Sequence, residues 1–339
     1  MNHQENTDTE GRSPISSEEE LEEAIQSTEK QEQLYSIALF DILGFSNFVE
    51  CNGTHVIMEL YQKLLDLIHP LESQFCRPTP HVGSVVPVPM SPDWKYSQLV
   101  ADGNGYVRTC HFSDTFIIYV SYLFQKGPWL LRDTLCEPHP LLLGPQTEAA
   151  RLFYGGHHIY LSFLQICMEF FCQAVKAGIP LRGCISTGLA TMDKHRSIYF
   201  GRPLVEAARG EPAQNGLGIA FGRSFQDYHP VYSRYFIPYL GHIKANSPKA
   251  EFLSPVMVDW PRFWRGHPEF WNLSAPSCIQ KMNQNAAFSS YYENAIACSA
   301  FSQQHENWTE KITWEGIASM EDFFGQARAW HESVQGEPR

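Results

Sequence analysis

Two acids in this sequence stand where a folded chain places one only for use. Asp41 lies near the end of the apolar run Tyr35-Ser-Ile-Ala-Leu-Phe-Asp-Ile-Leu43, and the turn Gly44-Phe45-Ser46 follows it. A carboxylate at the end of a buried strand costs stability unless something binds it. A glycine turn leading into a helix also presents backbone N–H groups to phosphate oxygens. Asp114 sits in His111-Phe-Ser-Asp-Thr115, at the tip of a hairpin between two apolar stretches. If strand and hairpin are neighbours in one sheet, the two carboxylates face each other, and oxygen donors of that kind favour Mg²⁺ or Mn²⁺. Two arginines follow, Arg182 in Leu181-Arg-Gly-Cys-Ile-Ser-Thr-Gly188 and Arg209 in the segment Gly201–Glu211. Ordinary roles are open to each of these residues. Asp41 could cap the next helix, Asp114 could be a turn residue, Arg182 a structural ion-pair partner, and Arg209 a surface partner of Glu206 or Glu211.

The elements that must position these groups are legible in part. Tyr35–Leu43 has the look of a strand buried on both faces. Thr54 is placed to cap a helix in which Ile57, Leu60, Tyr61, Leu64, Leu65 and Ile68 form one apolar face, stopped by Pro70. Residues 77–104 read as an inserted loop or irregular hairpin, and Tyr106–Phe112 and Thr115–Tyr122 as strands joined by Ser113-Asp114. After a second Pro/Gly-punctuated insertion at 126–146, Ile159, Phe163, Ile166, Cys167, Phe170, Phe171 and Ala174 mark a long helix that ends at Gly178 and Pro180. Leu181–Thr187 reads as the next strand. The order β-α-β-β-α-β predicts an α+β, ferredoxin-like sheet with helices on one face. Residues 1–15 carry no apolar periodicity and read as disordered, with a short helix capped by Ser16 or Ser17 beyond them. The chain therefore divides into an acidic segment 1–33, a catalytic domain 34–224 and an aromatic-rich C-terminal extension 225–339. That extension holds six of the eight tryptophans and a predicted helix over Ile279–Phe301, with Phe288, Tyr292, Ile296 and Ala300 on one face.

Composition narrows the partners. The 339 residues carry a formal net charge of -12, which argues against nucleic acid or an anionic membrane as the main partner. Residues 1–33 hold ten acids against Arg12 and Lys30, so most of the excess is local and a positive cleft remains possible elsewhere. The longest apolar run, Phe116–Phe124, is far short of the about 20 residues that span a bilayer. The polar amino terminus does not read as a signal peptide. Nine scattered cysteines, an odd number with no C-x-x-C pair, favour reduced thiols and a cytoplasmic protein.

Taken together, the motifs resemble those of the class III nucleotide cyclases, the catalytic fold of adenylate and guanylate cyclases. Residues 39–46 match that family's first strand, F-x-D-[IV]-x-G-F-[ST], and Ser113 replaces the usual glycine before the hairpin acid. Arg182–Gly188 is similar to R-x-G-I-x-x-G with one residue of slack around Gly183, and Gly201–Arg209 aligns without gaps on G-x-x-V-N-x-A-x-R. The resemblance covers about residues 35–223. It implies two Mg²⁺ or Mn²⁺ ions per site held by Asp41 and Asp114 with Ile42, and a triphosphate touched by Ile42, Gly44, Phe45 and Ser46. It further implies that Arg182 meets the phosphates and that Arg209 stabilises charge on the α-phosphate. Val205 replaces the asparagine that contacts ribose, and Cys110 and Ile198 occupy the base-selecting positions without matching either purine pair. That pattern is more similar to the divergent bacterial cyclases of the pyrimidine-cyclase anti-phage systems (Pycsar). The implied activity is conversion of a nucleoside triphosphate, UTP or CTP, to a 3′,5′-cyclic nucleotide and pyrophosphate. The family shares each active site between two antiparallel domains, which implies a homodimer here, with Asp41 and Asp114 at one end of the chain's domain and Arg209 at the other. Two other readings stay open: a related palm enzyme that makes cyclic di- or oligonucleotides, and a catalytically dead sensor or interaction module.

Overall fold

The computed structural model describes residues 32–72, 74–76, 87–89, 105–121, 148–224, 235–244, 246–283, 286–308 and 320–335, together with Glu23. The predicted disorder at 1–15, nearly all of the short helix after it, most of the 77–104 insertion and all of 126–146 lie outside the described residues. The described chain begins with β1 (Gln33–Ile42), α1 (Phe45–Cys51), α2 (Thr54–Ile68), β2 (Gln74–Cys76) and β3 (Pro87–Pro89). There follow β4 (Gly105–Phe112), β5 (Thr115–Ser121), α3 (Glu148–Lys176), β6 (Leu181–Asp193), β7 (Ile198–Gly201) and α4 (Arg202–Gly210). The remainder comprises β8 (Gly218–Gly222), β9 (Phe236–Ile237), β10 (Leu253–Val258), α5 (Trp260–Gly266), α6 (Ala275–Met282), α7 (Ser289–Gln304) and α8 (Met320–Gln335).

β1 is the axis of the sheet because its side chains are apolar on both faces. Ala38, Phe40 and Ile42 pack into the larger core with Leu64 and Ile68 of α2 and Phe163, Phe170 and Phe171 of α3. Tyr35, Ile37 and Leu39 enter a second core on the opposite face with Ala207 of α4. The one serine in the run, Ser36, is buried and shares a 2.9 Å hydrogen bond with Thr187. β5 and β6 flank β1, both antiparallel, and β4 pairs beyond β5. The resulting order β6-β1-β5-β4 is the ferredoxin-like arrangement read from the sequence.

Three expectations are corrected. Helices lie on both faces of the sheet, since α4 covers the face opposite α2 and α3. Gly201 makes that return possible: at φ +147° its Cα lies so close to β6 that a Cβ would stand 2.6 Å from the Ala190 Cα. Thr54 is the first residue of α2 and does not cap it; Gly53 holds the N-cap position without a side-chain bond. The helix predicted over Ile279–Phe301 is two helices, α6 and α7, with a 3₁₀ turn at Ala286–Phe288 between them. The buried face of α7 runs through Tyr292, Ala295, Cys298, Ser299 and Ser302, while Ala300 is exposed. A strict spacing of four drifts about 40° per step around a helix of 3.6 residues per turn, so steps of three and four are needed to stay inside.

The C-terminal third extends the same sheet. β8 pairs with β6 in parallel, β10 with β8 and β9 with β10, and the complete order is β3-β2-β4-β5-β1-β6-β8-β10-β9 with β7 paired to β6. Trp260, fully buried, meets Phe171 of α3 at 5.1 Å. Trp308 is buried and donates its indole N–H to the Phe236 carbonyl at 2.8 Å. Trp271 is 67% exposed, so not every aromatic of this segment is core. Among the described residues no helix is long and apolar enough to cross a membrane.

Candidate functional site

The alternation of β1 decides where Asp41 points. Phe40 faces the larger core, 5.1 Å from Phe170, so Asp41 falls on the other face, in line with Tyr35, Ile37 and Leu39. Its Cα lies opposite Thr115 of β5 and opposite Arg182 of β6. Asp114 is one residue before Thr115, on the two-residue turn from β4, where Ser113 takes a left-handed φ of 53°. The hairpin thus brings the second acid to the first. Burial pushes the Asp41 carboxyl up to about 6, the Asp114 charge and a hydrogen bond with it add to the rise, and Arg182 opposes it.

These two carboxylates fit a hard divalent cation. Asp114 is close enough to raise the cost of ionising Asp41, and a cation between the two removes that cost. Mg²⁺ is held by one or two carboxylates with water and substrate phosphates completing its shell. Among the described residues no three His, Cys, Asp or Glu side chains gather at one point, so the pair stands without a third protein carboxylate of that kind.

The raised Asp41 value has a consequence for stability. A carboxyl whose folded value lies above its unfolded one destabilises the fold once ionised, so stability is lost as pH rises from about 4 through 6. In buffer free of divalent cations at about pH 7.5, we expect Asp41→Asn to melt at a higher temperature than the parent. The advantage should vanish near pH 4. A melting point at or below the parent's at the higher pH would show that Asp41 is not under this strain.

Arg182 reaches both Asp41, at 3.4 Å from Nη2 to Oδ2, and Glu211, at 2.5 Å from Nη2 to Oε1. Its guanidinium lies over the Tyr291 ring at 5.6 Å, and Lys244 Nζ stands 5.0 Å from the same ring. Burial pushes the Glu211 carboxyl up to about 7, against the lowering influence of Arg182. Sequence reasoning considered Glu211 only as a partner of Arg209 and did not single out Lys244 or Tyr291. Both of the latter lie beyond the motif region, and no local pattern sets them apart.

Other expected site residues are distributed as follows. Ile42 and Leu43 are buried, and the Leu43 N–H donates to the Pro180 carbonyl at 2.9 Å, which leaves the turn's free backbone to begin at Gly44. Gly44 takes φ 76°, and the Phe288 ring sits where its Cβ would be, at 2.8 Å. Phe45 packs on Tyr61 at 5.9 Å, and Ser46 is exposed on α1. A cavity of about 720 Å³ behind this turn is lined by Ile42, Leu43, Gly44, Phe48, Leu60 and Met282 but by neither acid, so it adjoins the turn and not the acid pair.

Arg209 is not at the far end of the domain. Gly210 packs directly on Cys184, two residues from Arg182, so α4 ends beside the acids. The Arg209 side chain is exposed and lies over the Phe252 ring at 5.0 Å. Neither expected surface partner engages it: Glu206 accepts from the Ser224 N–H at 2.6 Å, and Glu211 pairs with Arg182. Cys110 is half-buried on β4 opposite Ile117. Ile198 is exposed on β7 opposite Asp193, eleven residues along β6 from Arg182. At about 3.3 Å per residue that is roughly 36 Å, so one chain does not bring Ile198 to Asp41 or to Cys110.

No protein-family model matches the chain, and no curated protein matches it. Among solved structures, the crystal structure of the guanylyl cyclase Cya2 is similar over 61% of this chain and 82% of that one, with 13% sequence identity and a TM-score of 0.30.

Proposed function

We propose that the protein is a metal-dependent nucleotide cyclase that converts a nucleoside triphosphate, UTP or CTP, to its 3′,5′-cyclic monophosphate and pyrophosphate. The observation that carries this reading is the pairing of Asp41 with Asp114 across β1 and β5, beside Arg182. Two facing acids and a buried guanidinium provide both charges that phosphoryl transfer requires. When bound, two Mg²⁺ or Mn²⁺ ions lower the pKa of the ribose 3′-hydroxyl and neutralise the leaving phosphates. Asp41 and Asp114 hold that charge in place, and Gly44 to Ser46 offer backbone N–H groups to the phosphate oxygens. Arg182 binds the phosphates, and Arg209 stabilises charge as it develops on the α-phosphate. In this reading the protein acts in the cytoplasm as a second-messenger synthase of bacterial anti-phage defence.

The test is incubation with all four ribonucleoside triphosphates and Mn²⁺, with products identified by mass. Cyclic UMP or cyclic CMP in excess over the purine products is expected. Preference for ATP or GTP overturns the base assignment made from Cys110 and Ile198. Linked nucleotides would identify an oligonucleotide synthase instead, and the absence of any product a binding module.

The reading includes a homodimer with shared sites. Its support is that the Arg209 side chain is exposed over the Phe252 ring, while Glu206 and Glu211 are engaged by Ser224 and Arg182, so its guanidinium is open to a second chain. Asp114→Ala and Arg209→Ala should each be inactive alone. Mixed dimers would carry both lesions in one site and none in the other, so co-refolding should restore part of the activity. Mixed dimers that form and remain inactive would rule out sharing.

A further inference from the structure

Arg182 is held from more sides than an arginine free to meet a ligand would need. The last residue of α4, Gly210, allows helix and strand to touch: a Cβ there would lie 2.7 Å from Cys184 Sγ and 2.9 Å from Leu253 Cδ2. That contact, with the 3₁₀ turn Glu211–Ala213 directly after it, carries Glu211 over Arg182. Both side chains are nearly enclosed, 11% exposed for Arg182 and 8% for Glu211. Tyr291 from α7 covers the guanidinium face.

We infer that Glu211 is a positioning residue, which fixes the Arg182 guanidinium beside the acid pair so that its unused donors face the substrate's phosphates. The inference rests on the reading above that the site takes a nucleoside triphosphate. A guanidinium carries five N–H donors in a rigid fork. Here one nitrogen, Nη2, meets both carboxylates, while Nε is buried with no hydrogen-bond partner. Nε is thus closed off from a ligand, and the donor left for a phosphate oxygen is the other terminal nitrogen, Nη1, since Nη2 is already engaged. Glu211 is not placed as a third ligand of a cation, because Arg182 lies between it and Asp41 and no three ligating side chains gather among the described residues. Nor is stability a sufficient reason for the pair, since buried ion pairs commonly stabilise no more than apolar residues of the same volume. What the pair does provide is a fixed direction for a long side chain, and Tyr291 restricts the same group from its face.

The experiment measures binding of inorganic tripolyphosphate in the presence of Mn²⁺ by calorimetry, alongside KM and kcat for the preferred nucleotide. Glu211→Gln should weaken tripolyphosphate binding and raise KM by about tenfold, the equivalent of one charge-assisted hydrogen bond, with a smaller change in kcat. Glu211→Asp, which keeps the charge on a shorter arm, should recover part of the loss. A folded Glu211→Gln protein that binds tripolyphosphate as tightly as the parent would make Glu211 merely structural. Should Glu211→Gln fail to fold, Tyr291→Leu removes the ring against Arg182 and leaves every charge in place. Weaker binding then supports the inference, and unchanged binding overturns it. Tripolyphosphate binding that depends on Glu211 in a protein that makes no cyclic nucleotide would sink the cyclase reading and spare this one. Cyclic nucleotide formed with binding indifferent to Glu211 would do the reverse.

Discussion

Asp41→Ala and Asp114→Ala should each lower cyclic nucleotide formation by about a hundredfold or more, while far-UV circular dichroism and thermal unfolding remain those of a folded protein. Loss of one charge at a preorganised phosphoryl-transfer site costs several kcal/mol, and neither acid can take the other's place. Asp41 is the last residue but one of β1 and Asp114 lies on the β4–β5 turn, so the two side chains approach from different elements. The fold should survive because both side chains are only half-buried, and burial and Asp114 already disfavour the charged form of Asp41. Retention of more than about a tenth of the activity by either variant, against the expected scale of such losses, would remove that acid from the mechanism.

The second large effect is on stability. Trp260→Ala should cost about 3–5 kcal/mol, the range for deleting a buried indole. Trp260 is fully buried, packs on Phe171 of α3 and begins α5, whose N-cap Asp259 accepts the Arg262 N–H at 3.1 Å. The residue belongs to the C-terminal third, yet its contact is with the helix that covers β1. Denaturant unfolding followed by tryptophan fluorescence and by circular dichroism should move to lower midpoint with both probes together. Trp271→Ala, at a 67% exposed position, is the control and should change stability by less than about 0.5 kcal/mol. A loss below about 1 kcal/mol for Trp260→Ala, outside the range for core aromatics, would show that the C-terminal strands and helices are not joined to the main core.

The sequence by itself determined the centre of this protein. A run apolar at nearly every position from Leu34 to Phe40 can only be a strand covered on both sides, and it is β1. The spacing of Phe163, Ile166, Cys167, Phe170 and Phe171 likewise admitted little besides a helix with one buried face. Because successive strand residues alternate, the same local pattern already placed Asp41 on the face opposite Phe40. The acid pair was legible for that reason: each acid is marked by its immediate neighbours, a strand end and a hairpin tip.

Tertiary structure decided the rest, because the remaining information lies between segments. Nothing near Glu211 in sequence says that it meets Arg182, some thirty residues earlier; that follows from Gly210 letting α4 settle on β6. Nothing near Tyr291 or Lys244 says that the Tyr291 ring meets both Arg182 and Lys244, since α7 and the segment before β10 arrive there only through the long extension of the sheet. The same cause misplaced Arg209 and put all helices on one face. A helix of nine residues has a clear amphipathic pattern, but which face of a two-sided sheet it covers depends on the direction of the chain at Gly201. Local patterns fix which residues are buried together along one element, whereas the pairing of charges across elements is fixed by close contacts of backbone that sequence periodicity does not encode.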